Sequence, residues 1–475
     1  MSSQHHEPDH VSPLEYRYLP EGDPASEKVR EYLAERAGFR YMLKVEAALA
    51  HCLSELGICS APVAAEIEAA SKEVTPNDIK SKEGETRHQI RAVVECIRDR
   101  IGPDAKPYVH LFATSSDIID TANSLRYREF CSKVLIPNLV ALGQTLATLA
   151  TDHADTTQIG RTHGKFAEPV TFGFAVAFHL DRLTTQLEHL ATAASALRGK
   201  LSGSVGAYNA ASLRLDSPEN LERCFLDKLG LPTKDQPVTS QIVPPEPITN
   251  LVYYTTSVFS ILANIADDVR HLYRSEIGEL SEPAADDRVG SSVMPHKANP
   301  IDFENVKSLW KAFLPRMMTV MMDQISEHQR DLTNSASARF TPEILAALDY
   351  AARRLTSSLQ GLEIESSRMA ENLANASTEI TSEALQTLLA LAGRVDAYET
   401  VRALAKDARK DGRNLLELAS GVADISSVLE DQPDFIRSQL ENPETYVGKA
   451  PDIARNTTKT NRVRLEQISQ MTMRR

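Results

Sequence analysis

An all-α fold is predicted from this sequence by three observations. Apolar residues recur at steps of three and four along several long segments, which is the pattern of helices that bury one face. Only 20 of the 475 residues are glycine, below the average usage of ~7%, so the chain is poor in the residue that tight turns favour. Hydrophobic residues make up 42% and charged residues 25%, as in globular proteins that are long enough to bury a large core.

The N-terminal part, residues 1–112, is predicted to be a compact helical domain. Lys28 to Leu56 has apolar residues at helical spacing and ends before Gly57, which indicates a helix followed by a turn. Further helices are predicted from Ala61 to Ser71 and from Gln89 to Ile101.

The middle part, residues 113–365, is predicted to be a domain of long helices. Helices that are apolar along their length must bury that stripe against other helices, so the sequence predicts a bundle. Pro315 is expected to kink one of these helices. The four apolar stripes are Leu139, Leu142, Leu146 and Leu149; Val258, Leu262, Ile265, Val269 and Leu272; Val306, Leu309, Phe313, Met317 and Val320; and Leu345, Leu348, Leu355, Leu359 and Leu362.

The last part, residues 366–475, is predicted to be a smaller helical domain. From about residue 366 the apolar spacing shortens, and Arg394 to Glu417 is rich in charged residues on helical patterns. The sequence has no short internal repeat and no low-complexity linker between these three parts.

Charge and cysteine content restrict the partners and the compartment. The formal net charge of −13 disfavours nucleic acid and anionic membranes as partners. The five cysteines are an odd number without CxxC spacing, so we predict reduced thiols and neither a disulfide framework nor a thiolate metal site. The N-terminus lacks a basic segment followed by an apolar run, and no run of about 18 apolar residues is present. A cytoplasmic protein is expected.

Seven polar segments interrupt the helical pattern. Each has a plain structural explanation: Ser115-Ser116-Asp117 is a good helix N-cap, and a lone histidine such as His163 can be a hydrogen-bonded structural residue. Together, however, they supply a proton acceptor, a proton donor and several anion contacts, without the clustered Cys, Asp and Glu of a metal site. They are Arg17-Tyr18, Thr86-Arg87-His88, Thr114 to Asp117, Thr162-His163-Gly164, Thr239-Ser240-Gln241, Gly290 to Pro300 (GSSVMPHKANP), and Arg330 to Arg339.

These segments carry a family resemblance. GSSVMPHKANP resembles the signature of the fumarase and aspartase superfamily. Within that superfamily, a set of further segments resembles the adenylosuccinate lyase family in the same order, over residues 12 to about 450. These segments are SPLEYRY, FATSSDIIDTANSL, GRTHGKFAEPVTFG, GSVGAYNA, DDVRHLYRSEIGELSEP, HQRDLTNSASARF and YVGKA.

The resemblance implies an activity and an assembly. Members eliminate fumarate from adenylosuccinate to give AMP, and from the succinylated aminoimidazole carboxamide ribotide (SAICAR) to give AICAR, in purine biosynthesis. They have a three-domain fold with a long central helical bundle shared across a homotetramer, in which three subunits contribute to each active site. No cofactor or metal is implied.

The resemblance also implies roles for individual residues. Ser291 would be the general base on a mobile loop and His163 the general acid, with His88 and Lys297 as further catalytic residues. The implied substrate contacts are Arg17, Tyr18, Arg87, Thr114, Ser115, Thr162, Gln241, Ser292, Met294, Asn299, Arg330, Ser335 and Arg339.

Two departures from the family pattern leave related activities open. The usual His-Asp is His88-Gln89, and the THGQ or THGV element is THGK with Lys165. A related lyase or cycloisomerase acting on another carboxylated substrate is one alternative, although carboxymuconate cycloisomerases typically lack the THG histidine. A non-catalytic relative of the lens-crystallin kind is another, and the presence of Ser291, His163 and Lys297 together disfavours it.

Overall fold

The computed structural model describes residues 12–233, 238–282, 294, 297–376 and 380–473. Helices dominate these ranges, so the predicted all-α class is confirmed. The helices are α1 (Pro24–Leu33), α2 (Glu35–Glu55), α3 (Ala61–Glu73), α4 (Pro76–Thr86), α5 (Gln89–Arg98), α6 (Ser115–Phe130), α7 (Ile136–Asp152), α8 (Phe172–Ser195), α9 (Glu219–Lys228), α10 (Glu246–Leu272), α11 (Ile301–Phe313), α12 (Arg316–Met322), α13 (Thr341–Gln360), α14 (Ser366–Ala374), α15 (Ser382–Leu391), α16 (Ala397–Asp411), α17 (Leu415–Ser420), α18 (Ala423–Glu430), α19 (Asp434–Glu441) and α20 (Ala450–Met473).

The long helices form one bundle around a continuous hydrophobic core. Helix α7 packs against α8, α13 and α20, while α10 packs against α8, α11 and α13. The predicted stripes supply this core, and most of their residues are buried while Leu149, Leu272, Phe313 and Met317 are partly buried. Pro315 separates α11 from α12, so the predicted break is confirmed.

Helices α6 and α7 are joined by a π-helical turn at Cys131–Leu135 into one run, Ser115–Asp152. By length and composition alone this run could cross a membrane, but 61% of its most apolar window is buried inside the protein. It packs against α2 and α8 and so has the environment of a core helix in a helical bundle.

A second, smaller hydrophobic core lies in the C-terminal part. It is built by α15 to α19 and contains Leu389, Leu415 and Ala419 as fully buried residues. Helix α20 then returns to the long bundle, where Arg464 donates two hydrogen bonds of 2.8 Å to Glu188 on α8. The domain limits at residues 112 and 365 stay a prediction.

Two short antiparallel strand pairs accompany the helices. Strand β1 (Thr157–Thr162) pairs with β2 (Lys165–Thr171), and β3 (Leu280–Ser281) pairs with β4 (Glu363–Ile364). The sequence analysis did not predict them. Strands of two to seven residues, one of them containing a proline, give too short a pattern of alternation to be recognised in a helical chain.

The cysteines require a correction. Cys52 on α2 and Cys224 on α9 form a disulfide across 172 residues of sequence, so the prediction of five reduced cysteines is wrong for this pair. Spacing along the chain could not reveal it, because packing of α9 on α2 brings the two residues together. Glu55 lies beside both sulfurs, which as a disulfide are not free thiolate ligands. Cys59, Cys96 and Cys131 are free.

Candidate active site

A buried carboxylate organises the first turn of α6. Asp117 is fully buried, and its Oδ2 accepts the backbone N–H of Thr114 at 2.7 Å, which fixes the residue that begins the helix. Thr114 and Ser115 are half-buried, and their N–H groups lie at the positive end of the helix dipole. The N-cap is thus Thr114 and not Ser115-Ser116-Asp117 as predicted, because these three residues form the first turn of α6. The predicted anion contact lies in the same turn, so the capping and the binding interpretations are compatible.

The same carboxylate holds the segment after α8. The ammonium group of Lys200 donates to Asp117 Oδ1, and both side chains are completely buried. Asp117 also accepts the backbone N–H of Ser202 at 3.1 Å and of Gly203 at 3.2 Å. A buried charge needs an opposite charge and hydrogen bonds, and Asp117 has both.

This anchor extends to the predicted substrate glutamine. Ser202 Oγ and Thr239 Oγ1 lie 2.7 Å apart, and Thr239 stands two residues before Gln241 in the sequence. Gly206 has φ +78°, and a Cβ atom there would lie 2.1 Å from the carbonyl oxygen of Thr239, so only glycine fits this close approach. The backbone N–H of Gln241 donates to the carbonyl oxygen of Gln329 at 3.3 Å, next to Arg330.

Asp120 lies one turn beyond Asp117 on α6. Its Oδ2 accepts the backbone N–H of Val243 at 3.1 Å. Loss of hydration raises the pKa of Asp120 to about 6, and the Val243 N–H and the positive charges of Lys200 and Arg330 only partly oppose this.

His163 lies at the tip of the hairpin between β1 and β2. His163 and Gly164 have φ +56° and +71°, as in the type I′ turn that suits a two-residue hairpin, and Thr162 pairs with Lys165 on either side. The side chain of His163 is exposed. The turn thus presents an imidazole that has no part in the core.

An ion pair at Arg161, two residues before His163, fixes this hairpin. Arg161 donates two hydrogen bonds to the fully buried Glu279, at 3.1 and 2.6 Å. Asn372 on α14 donates to the same carboxylate at 2.9 Å. The hairpin is therefore tied to both strands of the second pair, since Glu279 precedes β3 and the N–H of Glu365, after β4, donates to the Glu279 carbonyl.

His88 is the N-cap of α5. Its Nδ1 accepts the backbone N–H of Arg91 at 3.2 Å, which leaves the proton of the neutral ring on Nε2. His88 and Arg87 are both exposed, and Arg87 has a left-handed backbone, φ +53°. The cap therefore orients an N–H donor toward solvent.

The remaining predicted contacts lie in three described segments and in one segment outside the described residues. Arg17 and Tyr18 belong to a π-helical turn, Leu14–Tyr18, where Tyr18 accepts from Asn305 at 3.3 Å. Met294, Lys297 and Asn299 precede α11, and the Lys297 side chain is exposed. Arg330 follows α12, and Ser335 accepts from Arg339 at 3.3 Å. Ser291 and Ser292 lie outside the described residues.

The structure thus connects some predicted residues and separates others. Thr114, Gln241 and the Arg330 segment converge on the Asp117 anchor. No hydrogen bond, ion pair or ring contact in the described ranges joins His163 or His88 to that anchor. Sequence reasoning missed Asp117 and Lys200 as organising residues, although Asp117 follows the Thr-Ser-Ser segment directly and Lys200 stands three residues before GSVGAYNA.

The chain is similar to known proteins in sequence and in fold. Residues 21–312 match a family model described as lyase, and residues 326–446 match one described as adenylosuccinate lyase C-terminal. The structure is similar to fumarate lyase from Mesorhizobium sp. BNC1, with a TM-score of 0.78 at 24% identity over 91% of this chain and 97% of that chain. It is also similar to 3-carboxy-cis,cis-muconate lactonizing enzyme from Pseudomonas putida, with a TM-score of 0.79 at 25% identity over 93% and 98%.

The sequence relatives are more specific. The chain is 37% identical to adenylosuccinate lyase from Pyrococcus abyssi over 94% of this chain and 97% of that protein. It is 31% identical to adenylosuccinate lyase from Aquifex aeolicus over 83% and 89%. The fold and the site therefore define an all-α lyase of the fumarase and aspartase superfamily.

Within that superfamily, the chain belongs to the adenylosuccinate lyase family. The specific evidence is the second family model, which is described as adenylosuccinate lyase C-terminal, together with the 37% identity to an adenylosuccinate lyase over 94% of this chain.

Proposed function

We propose that the protein eliminates fumarate from adenylosuccinate to give AMP, and from SAICAR to give AICAR. The observation that carries this proposal is the similarity to adenylosuccinate lyases along nearly the whole chain, including the region of the adenylosuccinate lyase C-terminal model. The test is to incubate purified protein with adenylosuccinate and to measure AMP and fumarate together. Formation of both in equal amounts is expected, and no turnover at any substrate concentration would contradict the proposal.

The elimination requires a base at one carbon of the succinyl group and an acid at the nitrogen on the adjacent carbon. The base takes a proton from the carbon beside a carboxylate, and the electron pair of that C–H bond forms the C=C bond of fumarate. The C–N bond breaks, its electron pair goes to nitrogen, and the acid protonates that nitrogen. We assign the base to Ser291. A serine hydroxyl is a weak base in water, so it needs positive surroundings and exclusion of solvent, which a closing loop with Lys297 would provide.

We assign the acid to His163. Its exposed position at a rigid hairpin tip supports this role, because the imidazole is free to meet a substrate while Arg161 and Glu279 hold its strand. His88 is proposed as an auxiliary group, since its cap leaves an N–H donor available for an anion. Lys165, next to the tip, adds positive charge where family members have a neutral residue.

The remaining residues are proposed to bind the negative charges of the substrate. Lys297 and Asn299 would stabilise the dianion that forms as the proton leaves, and Thr114 and Ser115 would hold a carboxylate at the N-terminus of α6. Arg17, Tyr18, Arg87, Arg330, Ser335 and Arg339 would contact the phosphate and nucleotide; Thr162, Gln241, Ser292 and Met294 would line the substrate.

No metal or organic cofactor is part of this proposal, because side chains can supply the acid, the base and the anion contacts. Exhaustive chelation should leave the turnover of adenylosuccinate unchanged. Loss of activity that a single added metal restores would contradict the assignment of Ser291 as the base.

A homotetramer with shared sites is proposed on two grounds. His163 and His88 make no hydrogen bond, ion pair or ring contact with the Asp117 anchor in the described part of one chain, which supports a site completed by a second subunit. Apolar side chains on and after α12 are exposed, with Met318 at 62%, Met322 at 62% and Ile325 at 78%. A surface of this kind on a helix is covered when subunits associate.

Mixing two inactive variants tests the shared site. His163→Ala and Ser291→Ala subunits, denatured and refolded together, should regain part of the wild-type activity through sites that draw each residue from an intact subunit. The same variants refolded separately are the control. A fully active monomer would contradict the proposal. With a net charge of −13 and small anionic substrates, we place the enzyme in the cytoplasm, without nucleic acid or membrane partners.

An alternative is a related lyase or cycloisomerase acting on another carboxylated substrate. The fold similarity to a muconate lactonizing enzyme favours it. Arg17 and Arg339 discriminate between the two, because a substrate without phosphate does not need them. If Arg17→Ala and Arg339→Ala change neither kcat nor KM for adenylosuccinate, the nucleotide assignment fails.

A further inference from the structure

A large cleft opens on the N-terminal unit, away from the candidate active site. Its volume is about 1060 Å³, within reach of the largest small-molecule sites. Its walls come from α1, α2, α3 and the end of α9, and of the described residues assigned above to catalysis or substrate binding none lines it. The elimination reaction therefore leaves this cleft unexplained.

The floor of the cleft is apolar. Leu43 and Ala48 from α2, Val74 after α3 and Leu229 after α9 line it, and each is less than a tenth exposed. A floor of this kind favours a ligand with a flat or compact apolar body, because contact with it removes apolar surface from water.

The rim of the cleft is basic, in contrast to the chain as a whole. Three carboxylates, Glu27, Glu31 and Glu68, stand against seven cationic residues. Three further carboxylates, Glu129, Glu55 and Glu15, pair with Lys44, Lys228 and Arg30 from outside the lining, which leaves seven cations against six carboxylates. The seven are Lys28, Arg30, Arg36, Arg40, Lys44, Lys72 and Lys228.

The rim carboxylates are shared between cations. Glu27 binds Arg30 at 2.7 Å and Arg36 at 3.1 Å. Glu68 binds Lys72 at 2.7 Å and lies 2.8 Å from His51. Because Arg36 and Lys72 are more than half exposed, their ion pairs are weak and a stronger anion can exchange for the carboxylate at little cost.

We infer that this cleft is a second ligand site, which binds a nucleoside triphosphate. The apolar floor would take the base. The phosphate chain would run along the rim between the Arg36 group on α2 and the Lys72 group on α3, which both line the cleft. Arginine and lysine are the side chains that bind phosphate most strongly.

Calorimetry with ATP and the full-length protein tests this inference. Two variants carry the same loss of charge: Arg36→Ala/Lys72→Ala removes rim cations, and Arg402→Ala/Lys406→Ala removes two exposed cations on α16. The rim variant should bind ATP at least about tenfold more weakly than wild type, as expected for the loss of contacts to a charged group. The α16 variant should bind within about twofold of wild type.

Turnover of adenylosuccinate without ATP is the folding control and should be equal in all three proteins. Equal ATP affinity in the rim variant and wild type would locate ATP elsewhere and overturn the inference. Absence of ATP binding to wild type at millimolar concentration would overturn it too. In that case, protection of Lys72 from acetylation in the purified protein would show that a protein surface covers the cleft.

Tripolyphosphate separates the two parts of the ligand. It should bind more weakly than ATP, because it leaves the apolar floor uncovered. If tripolyphosphate binds as tightly as ATP, the floor has no part in recognition and the nucleoside class is wrong.

Discussion

The Asp117 anchor and the His163 hairpin tip serve the same candidate site in opposite ways. Asp117 and Lys200 are completely buried, and the Asp117 carboxylate accepts hydrogen bonds from the backbone N–H groups of Thr114, Ser202 and Gly203. His163 is exposed and stands on a turn whose geometry its neighbours fix. The anchor holds its surroundings together from the interior, whereas the tip, where we propose the general acid, contributes little to the core.

This difference predicts that stability and turnover respond separately to substitution. Changes at the anchor should lower both quantities, because a buried charge loses its partner. Changes at exposed catalytic groups should lower turnover alone. Four substitutions test this contrast, in order of decreasing effect.

Ser291→Ala should lower turnover by about 10²- to 10⁴-fold, the effect of a positioned acid or base, with the fold and the assembly unchanged. Adenylosuccinate should still bind, because Lys297, Asn299 and the phosphate contacts remain. Single-turnover fumarate release measures elimination and calorimetry measures binding. Near-normal elimination by this variant would mean that another residue is the base.

Lys200→Met should lower the free energy of unfolding by about 3–5 kcal/mol, since it leaves the Asp117 carboxylate buried without its cation. Denaturant unfolding measures this loss. The matched double variant Asp117→Asn/Lys200→Met should lose less than the two single variants combined, because neither charge is then buried alone. Strictly additive losses would show that the two side chains do not interact.

His88→Asn should lower kcat/KM by about 10- to 100-fold, the value of one hydrogen bond to a charged group, with little change in stability. Asparagine is a good N-cap and keeps the contact to Arg91, but it lacks the imidazole Nε2 donor. His88→Ala should also lose about 1 kcal/mol of stability, the usual value of a cap. Equal unfolding free energies for the two variants would contradict the capping role.

Asp120→Asn should change the pH dependence of stability. Asp120 ionises near pH 6 in the folded chain and near its ordinary value of 3.8 when unfolded, so the folded state holds the extra proton between these values. The free energy of unfolding contributed by Asp120 therefore falls as the pH rises from about 4 to about 6. Melting temperatures should show Asp120→Asn gaining on wild type over this window, with Asp424→Asn on α18 as the charge-matched control.

The sequence predicted the long helices of the bundle well because their stripes are regular over about three to five turns. Leu142, Leu262 and Leu348 each lie in a different predicted stripe, and each is fully buried. The break at Pro315 was equally predictable, since proline cannot continue the backbone hydrogen bonds. The single helix predicted from Lys28 to Leu56 was wrong, because the extended backbone of Ala34 divides this segment into α1 and α2.

Features made by tertiary contact were not predictable from spacing. The Cys52–Cys224 disulfide and the Asp117–Lys200 pair join residues 172 and 83 positions apart, and no local pattern marks their partners. The hairpin at His163 was missed for another reason: a two-residue turn with two positive φ angles is signalled by His-Gly only weakly, compared with Asn-Gly or Asp-Gly. Candidate site residues came from the family resemblance, and their roles stay predictions.

Helix α20 gives the bundle an unusual order of completion during synthesis. It covers α7 and α8, which the ribosome makes about 300 residues earlier, and Arg464 and Asn461 bind side chains of α8. Everything in the second core, including α15 to α19, is translated before this cover arrives. A chain truncated before residue 450 therefore exposes the apolar surface of α7 and α8 that α20 would cover. Chaperones and proteases recognise surfaces of this kind.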